Sequence, residues 1–238
     1  MDPWESLREE ARQFGVSLSE EKIEKFRQFY RLLLLGNEKM NLTRITGEED
    51  VVTKHFIDSL SLFLAVDLPE KTRFVDVGTG AGFPGLPILI ARPHWEGFLV
   101  ESVKKKAGFL SEAVAELGLQ ATVLPERAED LGRGKETREK FDLAVTRAVG
   151  DLSVLVELCL PLVKVGGIFV AYKGGEVEEE VKGARGAISK LGGTLEKLVP
   201  FELPGGAGRR TLVVIEKESS TPPDYPRQAG IPQRHKLR

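Results

Sequence analysis

The sequence predicts an α/β protein: a mostly parallel sheet of seven strands with helices on both faces, preceded by a helical extension. Three observations predict it. From residue 73 to about 216, short apolar runs alternate with helical patterns, as strands joined by crossover helices require. Before residue 70 the chain reads as helices only, with apolar residues at three- and four-residue steps. The last two strand-like runs lie close together with no long helix between them, which predicts an antiparallel insertion at one edge. The expected divisions are a helical extension at 1–70, a sheet domain at 71–218 and an extended, basic, proline-rich tail at 219–238.

The elements come in this order. Asp2 before Pro3 predicts an N-cap with proline at the first helical position, and Gly15 closes that helix. Ser17-Leu18-Ser19-Glu20 reads as a capping box. It opens a second helix whose Ile23, Phe26, Phe29, Tyr30 and Leu33 share one face. Thr46-Gly47-Glu48-Glu49 reads as another box, opening a third helix through Val51, Val52, Phe56, Ile57, Leu60 and Phe63. Strands are predicted at 73–77, 98–101, 121–124, 141–145, 168–172, 194–199 and 212–215. Helices are predicted at 102–117, 151–162 and 176–191. The tail carries Pro222, Pro223, Pro226 and Pro232 and is predicted to be extended.

Composition excludes several classes. Of 238 residues, 41% are hydrophobic and 29% charged, a globular balance that excludes wholesale disorder. Lys+Arg 34 against Asp+Glu 36 gives a net charge of −2, which excludes nucleic-acid binding by bulk positive charge but not by a local patch. One Cys excludes a disulfide framework, and with three His it disfavours a zinc site. The most apolar stretch, 152–171, is interrupted by Glu157, Pro161, Lys164, Gly166 and Gly167, so no membrane span is expected. Met1-Asp2-Pro3-Trp4-Glu5 has no basic region leading into an apolar one, so no leader is expected and the default location is the cytoplasm.

The densest chemical signal is Phe74-Val75-Asp76-Val77-Gly78-Thr79-Gly80-Ala81-Gly82-Phe83-Pro84-Gly85, between the first strand and a helix. Gly78, Gly80 and Gly82 let the backbone turn sharply and approach a ligand closely. The expected occupant at the carboxyl end of this strand is nucleotide-like. The stretch from Gly80 to Gly85 also matches the dinucleotide pattern G-x-G-x-x-G. Asp76 argues against that choice, because a carboxylate there repels a pyrophosphate and favours a cationic group such as the amino group of S-adenosylmethionine. Glu101, ending the second strand, is placed to accept both ribose hydroxyls of either cofactor class. Backbone amides near Ala128 and Glu129, after the third strand, are placed to read an adenine edge.

These residues resemble a known family. Asp76 to Gly85 is similar to the cofactor motif of bacterial small-subunit ribosomal RNA guanine-N7 methyltransferases, once called glucose-inhibited division protein B. Asn41-Leu42-Thr43, Lys54-His55-Phe56-Ile57-Asp58-Ser59-Leu60, Glu126-Arg127-Ala128-Glu129, Thr146-Arg147-Ala148, Tyr172-Lys173-Gly174 and Tyr225-Pro226-Arg227-Gln228-Ala229-Gly230-Ile231-Pro232 resemble it in the same order. The resemblance implies a class I, Rossmann-like methyltransferase fold, S-adenosylmethionine as donor, and methylation at N7 of a guanine in the decoding-region hairpin of 16S rRNA. By position it implies cofactor contacts at Gly78, Phe83, Glu101, Ser102, Val103, Ala128, Glu129 and Arg147. The expected partner is 16S rRNA or a small-subunit particle, met by a monomer, with no membrane and no metal. A class I methyltransferase acting on another RNA or a small molecule is the alternative, and an NAD-dependent dehydrogenase a remote one.

The remaining residues agree with N7 chemistry. Guanine N7 is a lone-pair nucleophile, so no enzyme nucleophile is needed and no proton leaves it. Cys159 lies in an apolar helix and is expected to be a packed thiol, which disfavours cytosine-C5 methylation. Val145-Thr146-Arg147-Ala148 replaces the Asp-Pro-Pro-Tyr-like box that methylation of an adenine amino group uses. Arg147 is expected to orient the donor or the guanine and not to act as a base, since it stays protonated. His55, Asp58 and Ser59 at i, i+3 and i+4 share one face and are candidate RNA contacts, with Lys54 and Asp58 as an i,i+4 pair. Further candidate RNA contacts are Lys173, Arg209, Arg210 and Arg227, with Lys104-Lys105-Lys106 and the tail's Arg234, Lys236 and Arg238 as local basic patches. His94 and His235 have no expected role.

Overall fold

The computed structural model describes residues 2–237; Met1 and Arg238, the last of the tail's basic residues, lie outside them. Helix α1 (Pro3–Gln13) starts at the expected proline, and Gly15 turns the chain at φ +77°. Helix α2 (Glu20–Lys39) is capped by Ser19, whose hydroxyl accepts from the Lys22 amide. Ser17 is therefore not the cap, because the amide that a cap reaches lies three residues on. Helix α3 (Glu48–Val51) begins after Gly47 in extended conformation, and Thr46 is not its cap.

The expected third helix is not continuous. After α3 comes a π-helical turn, Val52–Ile57, then α4 (Asp58–Leu60) and α5 (Leu62–Ala65). A π turn adds a residue per turn and rotates the residues after it. Lys54 consequently pairs with Asp50 at 2.6 Å, and the expected Lys54–Asp58 pair is absent. Asp58 and Ser59 are turned inward and are 3% and 0% exposed.

The sheet then builds as β1 (Arg73–Val77), α6 (Gly85–Ala91), β2 (Glu96–Val100), α7 (Lys104–Leu117), β3 (Ala121–Leu124), α8 (Ala128–Leu131), β4 (Phe141–Thr146), α9 (Leu152–Cys159), β5 (Val163–Gly174), α10 (Glu178–Lys190), β6 (Gly193–Glu202) and β7 (Arg209–Lys217). Its seven strands are ordered β3-β2-β1-β4-β5-β7-β6. The first five are parallel, with Asp76 opposite Leu99 and Val145. Strand β7 runs antiparallel to both β5 and β6, as the close spacing of the last two strands predicts. The strand order switches direction between β1 and β4, so the carboxyl ends of β3, β2, β1 and β4 open onto one crevice.

The extension is packed into the sheet domain. Trp4, Phe26, Phe29 and Phe56 from the extension form one buried cluster with Phe83 of the glycine loop and with Leu86, Leu99 and Leu110. Phe29 and Phe83 lie 5.2 Å apart between ring centres. The apolar face of α2 is thus buried against α6 and α7, and burial of such rings dominates core energetics.

Beyond residue 218, where an extended tail is expected, the chain runs in turns docked along the domain and includes a short helix, α11 (Ile231–Arg234). Arg138 donates to the carbonyls of Thr221, Pro222 and Tyr225, and Arg133 to that of Pro226. Arg227 forms a bidentate pair with Glu157, whose side chain is 0% exposed. The guanidinium expected to meet RNA phosphate is thus committed here to a buried carboxylate, which needs a charged partner.

Candidate active site

The glycine loop leaves β1 through Gly78 and Thr79, whose amides both donate to Val100 O of β2. Gly78, Gly80 and Gly82 have φ of +74°, +61° and +99°. The three differ in what surrounds them. A side chain at Gly82 would collide with Leu86, whereas at Gly80 the same direction is open. Gly80 therefore borders open space, and Gly82 serves packing. Phe83 turns its ring into the aromatic cluster and is 5% exposed.

Asp76 is fully buried under this loop and accepts from the Gly85 amide at 2.8 Å. Its Oδ1 and the Thr79 hydroxyl are buried without a hydrogen bond of good geometry. Burial pushes the carboxyl up to about 7, against the pull of Thr79, Gly85 N–H and Arg147. An ammonium or other donor at this spot would satisfy the orphaned oxygen and hold the group ionised.

On the next strand Glu101 is 7% exposed, and its Oε1 accepts from the Val103 amide. Ser102 and Val103 are exposed at the start of α7. Ala128 and Glu129 open α8 beside them and are both buried. The candidate donor residues thus converge from three adjacent loops on one edge of the sheet.

The second half of the site lies after β4. Arg147 Nη1 donates to Asp58 Oδ2 at 2.8 Å and to Lys54 O at 3.1 Å. Its Nη2 meets His55 Nδ1 at 3.2 Å, and its guanidinium lies 5.1 Å over the Phe83 ring. The His55 ring stacks on the same Phe83 at 4.4 Å. Arg147 can only donate to Nδ1, whereas Lys54 O, 3.2 Å from the same nitrogen, can only accept, so the two contacts call for opposite tautomers; Nε2 faces the Thr43 hydroxyl at 3.0 Å. Burial and the Arg147 charge lower the His55 pKa to about 3, so this ring is neutral. Arg210 Nε approaches Asp58 Oδ1 at 3.3 Å from β7.

These residues line a cavity of about 550 Å³ together with Tyr172, Lys173, Gly174 and Glu180. Both carboxylates in it are taken. Asp58 lies between the two arginines, and Glu180 holds Lys173 at 2.7 Å and the Leu152 amide. Asp58 and Ser59 are too buried for the predicted RNA contact, and Ser59 donates its hydroxyl to His55 O. Lys173 is likewise held by Gly150 O and Glu180, while Arg209 stays exposed. Cys159 is fully buried, and burial drives its thiol pKa well up. A larger cleft of about 770 Å³ opens at the opposite, amino edge of the sheet. Its Glu96 and Asp142 are paired with Arg73 and Lys164, and no glycine loop reaches it.

Sequence reasoning missed three partners. Glu157 stood out only as a charge in an apolar run, and such a charge requires a counter-ion; the counter-ion is Arg227. Thr43 places its hydroxyl 3.0 Å from His55 Nε2. Lys217, 0% exposed, donates to Leu160 O and Leu191 O and meets Glu139 at 3.4 Å.

A family model described as rRNA small subunit methyltransferase G, or GidB, matches residues 22–210. The chain belongs to this family. The Ribosomal RNA small subunit methyltransferase G of Pelotomaculum thermopropionicum is 48% identical over 234 residues, covering 98% of each chain. That of Carboxydothermus hydrogenoformans is 46% identical over 226 residues, covering 94% of this chain and 96% of that one. Among solved structures, an S-adenosylmethionine-dependent O-methyltransferase of Thermotoga maritima matches with TM-score 0.52 at 18% identity, over 80% of this chain and 72% of that one. TrmN of Thermus thermophilus matches with TM-score 0.52 at 21% identity, over 70% and 53%. These two likenesses establish a class I methyltransferase fold for this GidB-family chain.

The pH dependence of its stability tests the buried pair of titrating groups. Asp76 is raised from 3.8 to about 7, so the folded state keeps a proton that the unfolded chain has released; that contribution is full below 3.8 and lost as pH rises through 7. His55 is lowered from 6.5 to about 3, so its contribution is present above 6.5 and lost as pH falls toward 3. Between these limits the two slopes oppose. Asp76→Asn removes the first and keeps an acceptor for Gly85 N–H. Its unfolding free energy, measured by urea titration without ligand, is expected to climb from pH 4 to 6.5 more steeply than the parent's, by about 1.4 kcal/mol per pH unit. Equal slopes would contradict a raised Asp76.

Proposed function

We propose that the chain transfers the methyl group of S-adenosylmethionine to N7 of a guanine in the decoding-region hairpin of 16S ribosomal RNA. Membership of the rRNA small subunit methyltransferase G family supports this. The observation that carries it is the chemistry of the cavity beside the glycine loop: both carboxylates are paired, and Arg147 and Arg210 stand at it as cations. Guanine presents O6 and N7, both acceptors, on this edge. A donor to O6 suits it while N7 keeps its lone pair free for the methyl, and no general base is needed.

When bound, S-adenosylmethionine supplies a methyl group activated on a sulfonium. Asp76 is assigned to its amino group, Glu101 to the ribose hydroxyls, and the backbone of Ala128 and Glu129 to the adenine. Gly80 leaves room for the methionine part, with Gly78, Gly82 and Phe83 shaping the loop around it and Ser102 and Val103 at the rim. Two of Arg147's five N–H groups find no partner among the described residues and are assigned to the guanine O6 or the donor carboxylate. Holding the reactants in line then supplies most of the acceleration, on the order of 7–11 kcal/mol at best. The target guanine must be unstacked to enter, so a loop base is favoured. Phosphate contacts fall to Arg209 and Lys104 to Lys106, and the reaction takes place in the cytoplasm, on rRNA or a subunit particle, with the enzyme as a monomer.

The test is labelled methyl transfer to rRNA from cells lacking the protein. Borohydride and aniline should then cut at a single 7-methylguanosine, with mass spectrometry confirming the nucleoside. A methyl on ribose, an exocyclic amine or a pyrimidine would refute the assignment. For the donor, Gly80→Val puts a β-branched side chain at φ +61° into open ligand space and is expected to abolish S-adenosylhomocysteine binding while the protein stays folded. Unchanged affinity in calorimetry would place the donor elsewhere.

A further inference from the structure

We infer that Glu129 is a positioning residue of the donor pocket, held in place by residues 230–236, so that docking of this last segment sets the affinity for the donor. The inference rests on the reading that the donor lies against the backbone of Ala128 and Glu129. Glu129 is the second residue of α8, a helix of one turn. A single turn is not stable by itself. Its flanking residues Arg127 and Asp130 are exposed or edge the turn, whereas Glu129 is 3% exposed. The carboxylate Oε1 accepts from the Gly230 amide at 3.1 Å and meets Gln233 Nε2 at 3.5 Å.

The segment makes two separate attachments. The first, at 221–227, is the Arg138 clamp with the Arg227–Glu157 pair, and Pro226 packs on Gly132. The second, at 230–236, reaches toward the crevice. Gly230 at φ +83° turns the chain so that its amide meets Glu129. Lys236 then pairs with Asp151 at 2.8 Å, and Asp151 caps α9 just beyond the loop that carries Arg147. The second attachment therefore touches the loops after β3 and after β4, one on each half of the site.

Without Gly230 and Gln233, Glu129 would be a buried carboxylate without a partner. Such a group turns out to water, and the Ala128–Glu129 backbone would turn with it. The binding-competent loop would then be only partly populated, and apparent affinity falls by that fraction. By reciprocity, donor binding must tighten the docking of the segment by the same factor.

The experiment measures S-adenosylhomocysteine binding by calorimetry for the intact chain and for a chain ending at Gln228, which keeps the Arg227 clamp. The shortened chain is expected to melt near the intact one without ligand and to bind about tenfold more weakly. In the intact chain, saturating S-adenosylhomocysteine should slow hydrogen exchange at the Gly230 amide about tenfold. Equal affinity of the two chains would overturn the inference and leave the donor reading standing. No binding to the intact chain would overturn the donor reading, and this inference with it. Should shortening unfold the protein, Glu129→Gln against Glu129→Met decides: Gln keeps an acceptor for Gly230 N–H and is expected to bind at least about fivefold more tightly than Met. Equal binding by those two would overturn the inference.

Discussion

Arg147→Ala is expected to lower single-turnover methyl transfer by about two orders of magnitude while RNA affinity changes little. The reason is geometric. The guanidinium is held by Asp58, Lys54 O, His55 and the Phe83 face, four anchors from two different parts of the chain. A side chain held that firmly orients whatever it touches, and a misplacement of about 1 Å costs around 10²-fold in rate. Alanine also leaves Asp58 with Arg210 alone, so part of any fall in stability belongs to that buried carboxylate. Single-turnover rates with saturating rRNA separate the two, because a folded variant at saturation reports only the bound complex. A full rate in the variant would remove Arg147 from the chemistry. Arg147→Lys keeps the charge but not the planar fork, and is expected to recover little of the rate.

The second large effect is on stability. Arg227→Ala is expected to destabilise the protein by about 3–5 kcal/mol, as removing one partner of a buried pair does. Glu157 is 0% exposed and receives Arg227 Nε at 2.8 Å, Nη2 at 2.6 Å and the Arg227 amide at 2.9 Å. Alanine keeps only the amide. Glu157→Leu with Arg227→Met removes both charges and is expected to regain most of the loss, since an apolar pair of similar volume is often neutral or better. Urea denaturation of the parent, Arg227→Ala and the double variant reads both effects. A single Arg227→Ala costing less than about 1 kcal/mol would mean that Glu157 reaches water on its own.

Much of this protein is legible in its linear order. The alternation of apolar runs and helical patterns placed all seven strands, because burial on both faces demands continuous apolar residues and crossover helices demand their own period. The glycine loop, Glu101 and the Ala128–Glu129 turn are also local in sequence, since each lies just past a strand end. The close spacing of the last two strands announced their antiparallel pairing. What the linear order left undecided is what pairs with what across the fold. Asp58 and Lys54 are four residues apart and looked like partners, but the π turn rotates Asp58 into the interior, where Arg147 and Arg210 arrive from β4 and β7. Arg227 looked like a phosphate ligand, but the buried carboxylate of Glu157 claims it. A side chain's local sequence determines its helix or strand, because backbone propensity and apolar period act over a few residues. The choice of counter-charge is made by burial, which exists only once distant segments have packed and water has been excluded between them.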